Sequence, residues 1–252
     1  MDSKDYIGVF DSGVGGLSVL RHLRRLLPGE NYVYCGDCAN APYGSRSTQE
    51  VRDLTLAAVE EMFRRYPVKA LVVACNTATA AAITVLRRKY PERIIIGIEP
   101  ALKLAADKFP GGRIGVMATQ VTLREEKFDK LMHRFDAGCS IQKIPAPGLV
   151  ELIEQGKAEG AETVALLRRL LAPYVDALDA LVLGCTHYPF AAKAITEVLG
   201  QEVALLDGGD GTARETKRRL QEVALLNEDG GHLDWLIHGD EAAFVSLAQT
   251  LL

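Results

Sequence analysis

Lys69-Ala-Leu-Val-Val-Ala-Cys75-Asn-Thr77 returns later in the chain as Asp179-Ala-Leu-Val-Leu-Gly-Cys185-Thr-His187. Each copy is a short Val- and Leu-rich run bounded by a charged residue on one side and small polar residues on the other. That pattern predicts a strand buried on both faces, with a cysteine at its tip. The similarity extends upstream. Tyr6-Ile-Gly-Val-Phe-Asp11-Ser12 resembles Arg113-Ile-Gly-Val-Met-Ala118-Thr119, and in both halves the cysteine strand follows about 65 residues later.

Around these two pairs, β-rich runs alternate with longer amphipathic stretches, the signature of an α/β fold with parallel strands. Strands are predicted over Tyr6–Phe10, Tyr32–Cys35, Ala70–Ala74, Ile94–Ile98, Ile114–Met117, Ser140–Ile144, Ala180–Gly184 and Val203–Leu206. Helices are predicted over Leu17–Leu27, Thr48–Tyr66, Ala78–Lys89, Ala101–Phe109, Thr122–Phe135, Ala161–Ala172, Phe190–Leu199 and Glu241–Leu252. The internal repeat implies two related α/β domains, each a mostly parallel sheet flanked by helices, in a pseudo-two-fold arrangement. Pro100 after a strand end sets the first crossing near Glu99-Pro100. The run Asp207-Gly-Gly-Asp-Gly211 reads as a flexible return to the first domain. The expected division is 1–98 with 208–252, and 99–207.

The chain has 252 residues, 48% of them hydrophobic and 25% charged, with a formal net charge of -4. Basic pairs such as Arg24-Arg25 and Arg168-Arg169 are scattered over helical segments, so no nucleic-acid partner is expected. No apolar run approaches the roughly 20 residues of a membrane helix, and the polar start Met1-Asp-Ser-Lys-Asp5 has no leader character. Neither a membrane partner nor secretion is therefore expected. Five cysteines, an odd number, are read as reduced thiols of a cytoplasmic protein.

The loop Asp11-Ser-Gly-Val-Gly-Gly16 leaves a strand and enters a helix, which invites a phosphate-binding reading. The third glycine of GxGxxG would fall on Ser18, however, and Asp11 would repel a phosphate. The preferred reading is a glycine loop whose N–H groups approach a carboxylate while Asp11 orients or deprotonates a group at the strand end. Cys35-Gly-Asp-Cys38 is a CxxC without a second metal-ligand pair, so neither zinc nor redox work is favoured. Cys75 and Cys185 differ from these, because each stands at the end of a duplicated strand and is followed by small polar residues. Asn76, Thr77 and Thr186 are suited to hydrogen-bonding a small polar substrate. His187 lies two residues from Cys185, where it can relay a proton. A cysteine hydrolase would leave one thiol idle. Racemisation at a Cα uses both, one base removing a proton from one face while an acid delivers one to the other. A ligand-binding module with bystander cysteines is the alternative of another class.

Taken together, these motifs resemble the glutamate racemases of the aspartate/glutamate racemase superfamily. The resemblance runs from Asp11–Gly16 through Pro42-Tyr43-Gly44, Ala74-Cys75-Asn76-Thr77 and Ile98-Glu99-Pro100 to Gly184-Cys185-Thr186-His187-Tyr188-Pro189, nearly the whole chain in order. It implies interconversion of L- and D-glutamate, supplying D-glutamate for peptidoglycan, in a homodimer that uses no cofactor, neither PLP nor metal. It implies that the site lies between the two domains. It also implies that Cys75 acts on the D-enantiomer and Cys185 on the L-enantiomer, assisted by Asp11, His187 and Glu151. The implied substrate contacts are Ser12, Pro42, Tyr43, Gly44, Asn76, Thr77, Thr119, Thr122 and Thr186. Two departures stand out: Cys38 replaces a small hydroxyl residue, and Gly208 replaces a Ser or Pro. They leave aspartate open as a substrate. The short N-terminus lacks the extension of members regulated by a cell-wall precursor, so that control is not expected.

Overall fold

Two parallel sheets grow from the two sets of β-rich runs. The computed structural model describes residues 1–124, 126–133, 135 and 138–252. In chain order the first elements are β1 (Tyr6–Asp11), α1 (Leu17–Leu26), β2 (Tyr32–Gly36), α2 (Thr48–Arg65), β3 (Val68–Val73), α3 (Asn76–Lys89) and β4 (Ile94–Gly97). Next come α4 (Leu102–Lys108), β5 (Arg113–Ala118), α5 (Gln120–Arg124), α6 (Glu126–His133), β6 (Ser140–Pro145), α7 (Leu149–Glu154), α8 (Ala161–Leu171), β7 (Ala180–Leu183), α9 (Ala192–Leu199) and β8 (Ala204–Asp207). The chain closes with α10 (Gly209–Glu222), β9 (Leu233–Ile237) and α11 (Glu241–Leu251). The chain divides into two compact units, Met1–Glu99 with Gly209–Leu252, and Pro100–Gly208.

The first unit holds a five-stranded parallel sheet in the order β4-β3-β1-β2-β9, and the second a four-stranded parallel sheet in the order β6-β5-β7-β8. Read from its other end, β8-β7-β5-β6 repeats β4-β3-β1-β2. The strand that carries Asp11 and the strand that carries Ala118 therefore occupy the same place, as do the two cysteine strands. The central strands are buried on both faces, which explains their unbroken apolar runs. In the second unit Ile114, Val116 and Ala118 of β5 join one core with Leu102 and Leu123, whereas Met117 joins another with Leu149, Leu167 and Ile195. This is the period-two alternation of a strand covered on both sides.

Local chemistry fixes the helix starts. Ser47 and Glu50 form a reciprocal capping box on α2, and the Asp240 carboxylate caps α11 by accepting from the Ala243 N–H at 3.0 Å. Where the structure departs from expectation, the signals are weak. β9 is not among the predicted strands; Leu-Asp-Trp-Leu-Ile is short and interrupted by Asp234. It pairs with β2 at the sheet edge, where Asp234 accepts from the Tyr6 hydroxyl at 2.8 Å. The glycine run at 208–211 is no flexible connection, because Gly209 and Gly211 lie in the first turn of α10, where the helix's own N–H groups are unpaired in any case. The helix predicted over Thr122–Phe135 is found as α5 and α6, with positions 125 and 134 outside the described residues. No described helix is long and apolar enough to cross a membrane.

One buried ion pair ties the two chain segments of the first unit. Lys69 and Glu30 are fully buried and meet at 2.5 Å. The ammonium also donates to the Ser3 carbonyl and, at 2.9 Å, to the Leu225 carbonyl, while the Asn227 N–H donates to Glu30 at 2.9 Å. Removing one member of such a pair leaves the other charge buried alone, at a cost of about 3–5 kcal/mol. Lys69→Met is therefore expected to lower the urea-unfolding free energy by about that amount. A loss below about 1 kcal/mol, the scale of a surface ion pair, would contradict this reading.

Candidate active site

In the first unit the candidate side chains Asp11, Ser12, Cys75, Asn76 and Thr77 gather where β1 and β3 end. The Phe10 carbonyl accepts from Ala74 N–H at 2.8 Å, which carries β3 past its last ladder residue and delivers Cys75 to the tip. Cys75 is the N-cap of α3, its Sγ accepting from the Ala78 N–H at 3.4 Å. A thiol thus does the work that Ser or Asp does elsewhere, and the helix N-terminus favours negative charge on that sulfur. Ser12 Oγ lies 3.7 Å from Cys75 Sγ. Asp11, fully buried, accepts from Gly13 N–H at 2.9 Å, and the Tyr34 hydroxyl holds the Gly13 carbonyl at 2.7 Å. A Cβ on Gly16 would come within 2.6 Å of Asp11 Cβ, so this position accepts only glycine.

Asn76 and Thr77 occupy the first turn of α3 and are buried. Asn76 Oδ1 has no hydrogen-bond partner within the protein, a costly state for a buried acceptor unless a ligand donor meets it. Pro42, Tyr43 and Gly44 enter the turn Tyr43–Ser45 that leads to α2, and Tyr43 shares a core with Phe10 and Cys75. Its hydroxyl donates to Asp37 at 2.6 Å; burial and that carboxylate push the phenol well above its ordinary range. Cys35 is buried and its thiol is likewise pushed up by burial, which disfavours the thiolate that redox work requires.

The second unit places a different set at the equivalent tip. Gly184 N–H donates to the Met117 carbonyl at 2.7 Å, and Cys185, Thr186 and His187 follow, all buried. His187 Nδ1 lies 3.7 Å from Cys185 Sγ and Nε2 lies 2.6 Å from Glu154 Oε1. Burial works against charge on this ring, but the hydrogen bonds to Cys185 and Glu154 outweigh it and raise its pKa well above the usual histidine value. Thr119 and Thr122 form a hydroxyl pair at 3.0 Å just after β5. Glu151, the acid expected to assist, is exposed. The carboxylate on His187 is Glu154, one helical turn further along α7. Leu149-Val-Glu-Leu-Ile-Glu154 holds both acids, and the helix phase, which buries Leu149 and Ile153, sets Glu154 against His187 and leaves Glu151 exposed. Among the described residues no group of three or more His, Cys, Asp or Glu side chains is arranged to hold a metal ion.

His187 supplies a pH signature. A ring whose folded pKa is raised contributes stability that is fully present below the unfolded value of about 6.5 and is lost as pH rises through the folded value. Glu154→Gln is expected to bring the His187 titration down, read by NMR of the histidine ring. The stability deficit of this variant is expected to shrink as pH rises through the wild-type folded value. An unchanged titration and a pH-independent deficit would contradict the assignment.

Comparison with known proteins agrees with this architecture. A family model described as Asp/Glu/Hydantoin racemase matches residues 7–216. A glutamate racemase from Clostridium kluyveri is 52% identical over 223 residues, covering 87% of this chain and 86% of that protein. The crystal structure of a glutamate racemase isoform from Bacillus anthracis superposes with a TM-score of 0.88 at 33% identity, covering 99% of this chain and 94% of the other. A glutamate racemase structure from Thermus thermophilus, in complex with beta-chloro-D-alanine, gives a TM-score of 0.86 at 39% identity over 100% of this chain and 94% of the other.

Proposed function

We propose that this chain, which belongs to the Asp/Glu/Hydantoin racemase family, interconverts L- and D-glutamate with Cys75 and Cys185 as its two proton-transfer groups. The observation that carries the reading is the duplication itself. Equivalent strands of two repeated sheets end in buried cysteines, and each sulfur has a hydrogen-bonding environment of its own. Full-length similarity to glutamate racemases supports glutamate as the substrate.

In this mechanism Cys75, as thiolate, removes the Cα proton of D-glutamate while Cys185, as thiol, protonates the opposite face. The reverse reaction exchanges the roles, so one turnover leaves the two sulfurs in swapped protonation states. Asp11 assists the Cys75 side, and His187, held by Glu154, assists the Cys185 side. Ser12, Asn76, Thr77, the Pro42-Tyr43-Gly44 turn, Thr119, Thr122 and Thr186 bind the substrate. The buried, unpartnered Asn76 Oδ1 suits the substrate ammonium, a donor that satisfies it. The N-terminus of α3 and the glycine loop suit a carboxylate. The reaction proceeds without PLP or metal. It supplies D-glutamate for peptidoglycan in the cytoplasm, and the chain acts as a homodimer.

Cys75→Ala and Cys185→Ala are each expected to lower kcat for L-glutamate by about a thousandfold or more, because each removes an acid-base group from the chemical step. Circular dichroism of glutamate incubated with each purified variant measures this. Wild-type activity in either variant would overturn the two-thiol mechanism. A higher kcat/KM for aspartate than for glutamate would overturn the choice of substrate.

A further inference from the structure

Asp37 is a buried carboxylate outside the proton-transfer set, and the groups around it point to a role for the far end of the chain. It is 1% exposed and accepts from the Tyr43 hydroxyl at 2.6 Å and from Asn40 Nδ2 at 3.0 and 3.2 Å. Its own N–H donates to the Asp11 carbonyl at 3.1 Å, so it sits directly behind the loop that leads to Ser12. A further side chain reaches it from far along the chain: His238, whose Nδ1 lies within hydrogen-bond distance of Asp37 Oδ1 at 3.3 Å.

His238 follows β9, some 200 residues away in sequence. Its backbone prolongs the sheet pairing, with its N–H on the Gly36 carbonyl at 2.9 Å and its carbonyl accepting from Ala39 N–H at 2.7 Å. Gly239 next to it adopts φ +127°, and a Cβ there would come within 3.1 Å of Ala39 N, so the two segments are held in close contact. On its other side His238 Nε2 is 3.2 Å from Glu61 Oε2, out of line for a hydrogen bond, and Glu61 in turn pairs with Arg65 at 3.2 Å. The ring thus lies between a buried and a half-buried carboxylate.

We propose that His238 is a positioning residue for substrate binding: by donating a hydrogen bond from Nδ1 to Asp37 it fixes the Tyr43 hydroxyl, and with it the Pro42-Tyr43-Gly44 turn, in the conformation that receives glutamate. A buried carboxylate that loses one of its hydrogen-bond donors would be driven to move toward water, taking Tyr43 with it. The role rests on the reading of that turn as a substrate contact. It acts before chemistry, on uniform binding, so its loss is felt in KM and not in kcat.

The test is steady-state racemisation of L-glutamate by the full chain, with urea unfolding of every variant. His238→Ala is expected to raise KM by about tenfold with kcat within about twofold. His238→Asn, whose amide stands near the Nδ1 position, is expected to restore KM to within about threefold of wild type. Tyr43→Phe is expected to raise KM alone, and His238→Ala is expected to add nothing in that background, since the two act through one carboxylate. If His238→Ala does not fold, His238→Gln takes its place; it fills the ring's volume without a donor at Nδ1 and is expected to raise KM likewise. A wild-type KM in the variant, no rescue by Asn, or additive effects with Tyr43→Phe would overturn the proposal. A wild-type chain that does not racemise glutamate would overturn the functional reading together with it.

Discussion

A parallel strand that hands over to a helix leaves two things at its carboxyl end: the side chain at the tip, and the unpaired N–H groups of the helix behind it. The chemistry proposed for this chain depends on that junction. At β3 the two features meet in one residue, because Cys75 is both the tip side chain and the cap of α3, with its sulfur on the Ala78 N–H. At β7 they are separated. The chain makes a short turn after Cys185 before α9 begins at Ala192, and the residue in that turn is His187. One sulfur faces backbone dipoles and Ser12, the other an imidazole backed by a carboxylate.

That difference bears on the reaction. A racemase working on a single Cα must stabilise negative charge on either of two thiols in turn, and duplicated geometry alone would give two identical environments. In the proposed mechanism the first unit would use fixed groups: a helix N-terminus, the glycine loop and a carboxylate at the strand tip. The second relies on a titratable relay, whose pKa is raised against the penalty of burial. Asp11 stands where the second unit has Ala118, and in the second unit a carboxylate, Glu154, meets His187 instead.

Much of this was legible in the residues. The apolar runs pointed to both sheets because central parallel strands carry an unbroken signal, and the repeated Ile-Gly-Val and cysteine segments pointed to two related domains. The Cys75 and Cys185 motifs were legible because small polar residues after a buried strand are hard to explain by packing. What escaped notice had no local signature. β9 is an edge strand with Asp at its second position, α10 begins in a glycine run, and the contact of Glu154 with His187 depends on a helix phase fixed by what it buries. Asp37 and His238 likewise carry no local signal of their partnership. Their pairing joins positions about 200 residues apart, and only the sheet contact between β2 and β9 brings them together.

The central claim is that the proton removed and the proton delivered belong to different groups. The most direct test follows L-glutamate in deuterated water by mass spectrometry at low conversion. Two opposed thiols, with the delivering one equilibrated with solvent, place deuterium at Cα of the D-glutamate formed while the recovered L-glutamate keeps its hydrogen. D-glutamate that retains the original hydrogen would contradict the account, because a single group would then have carried the proton from one face to the other.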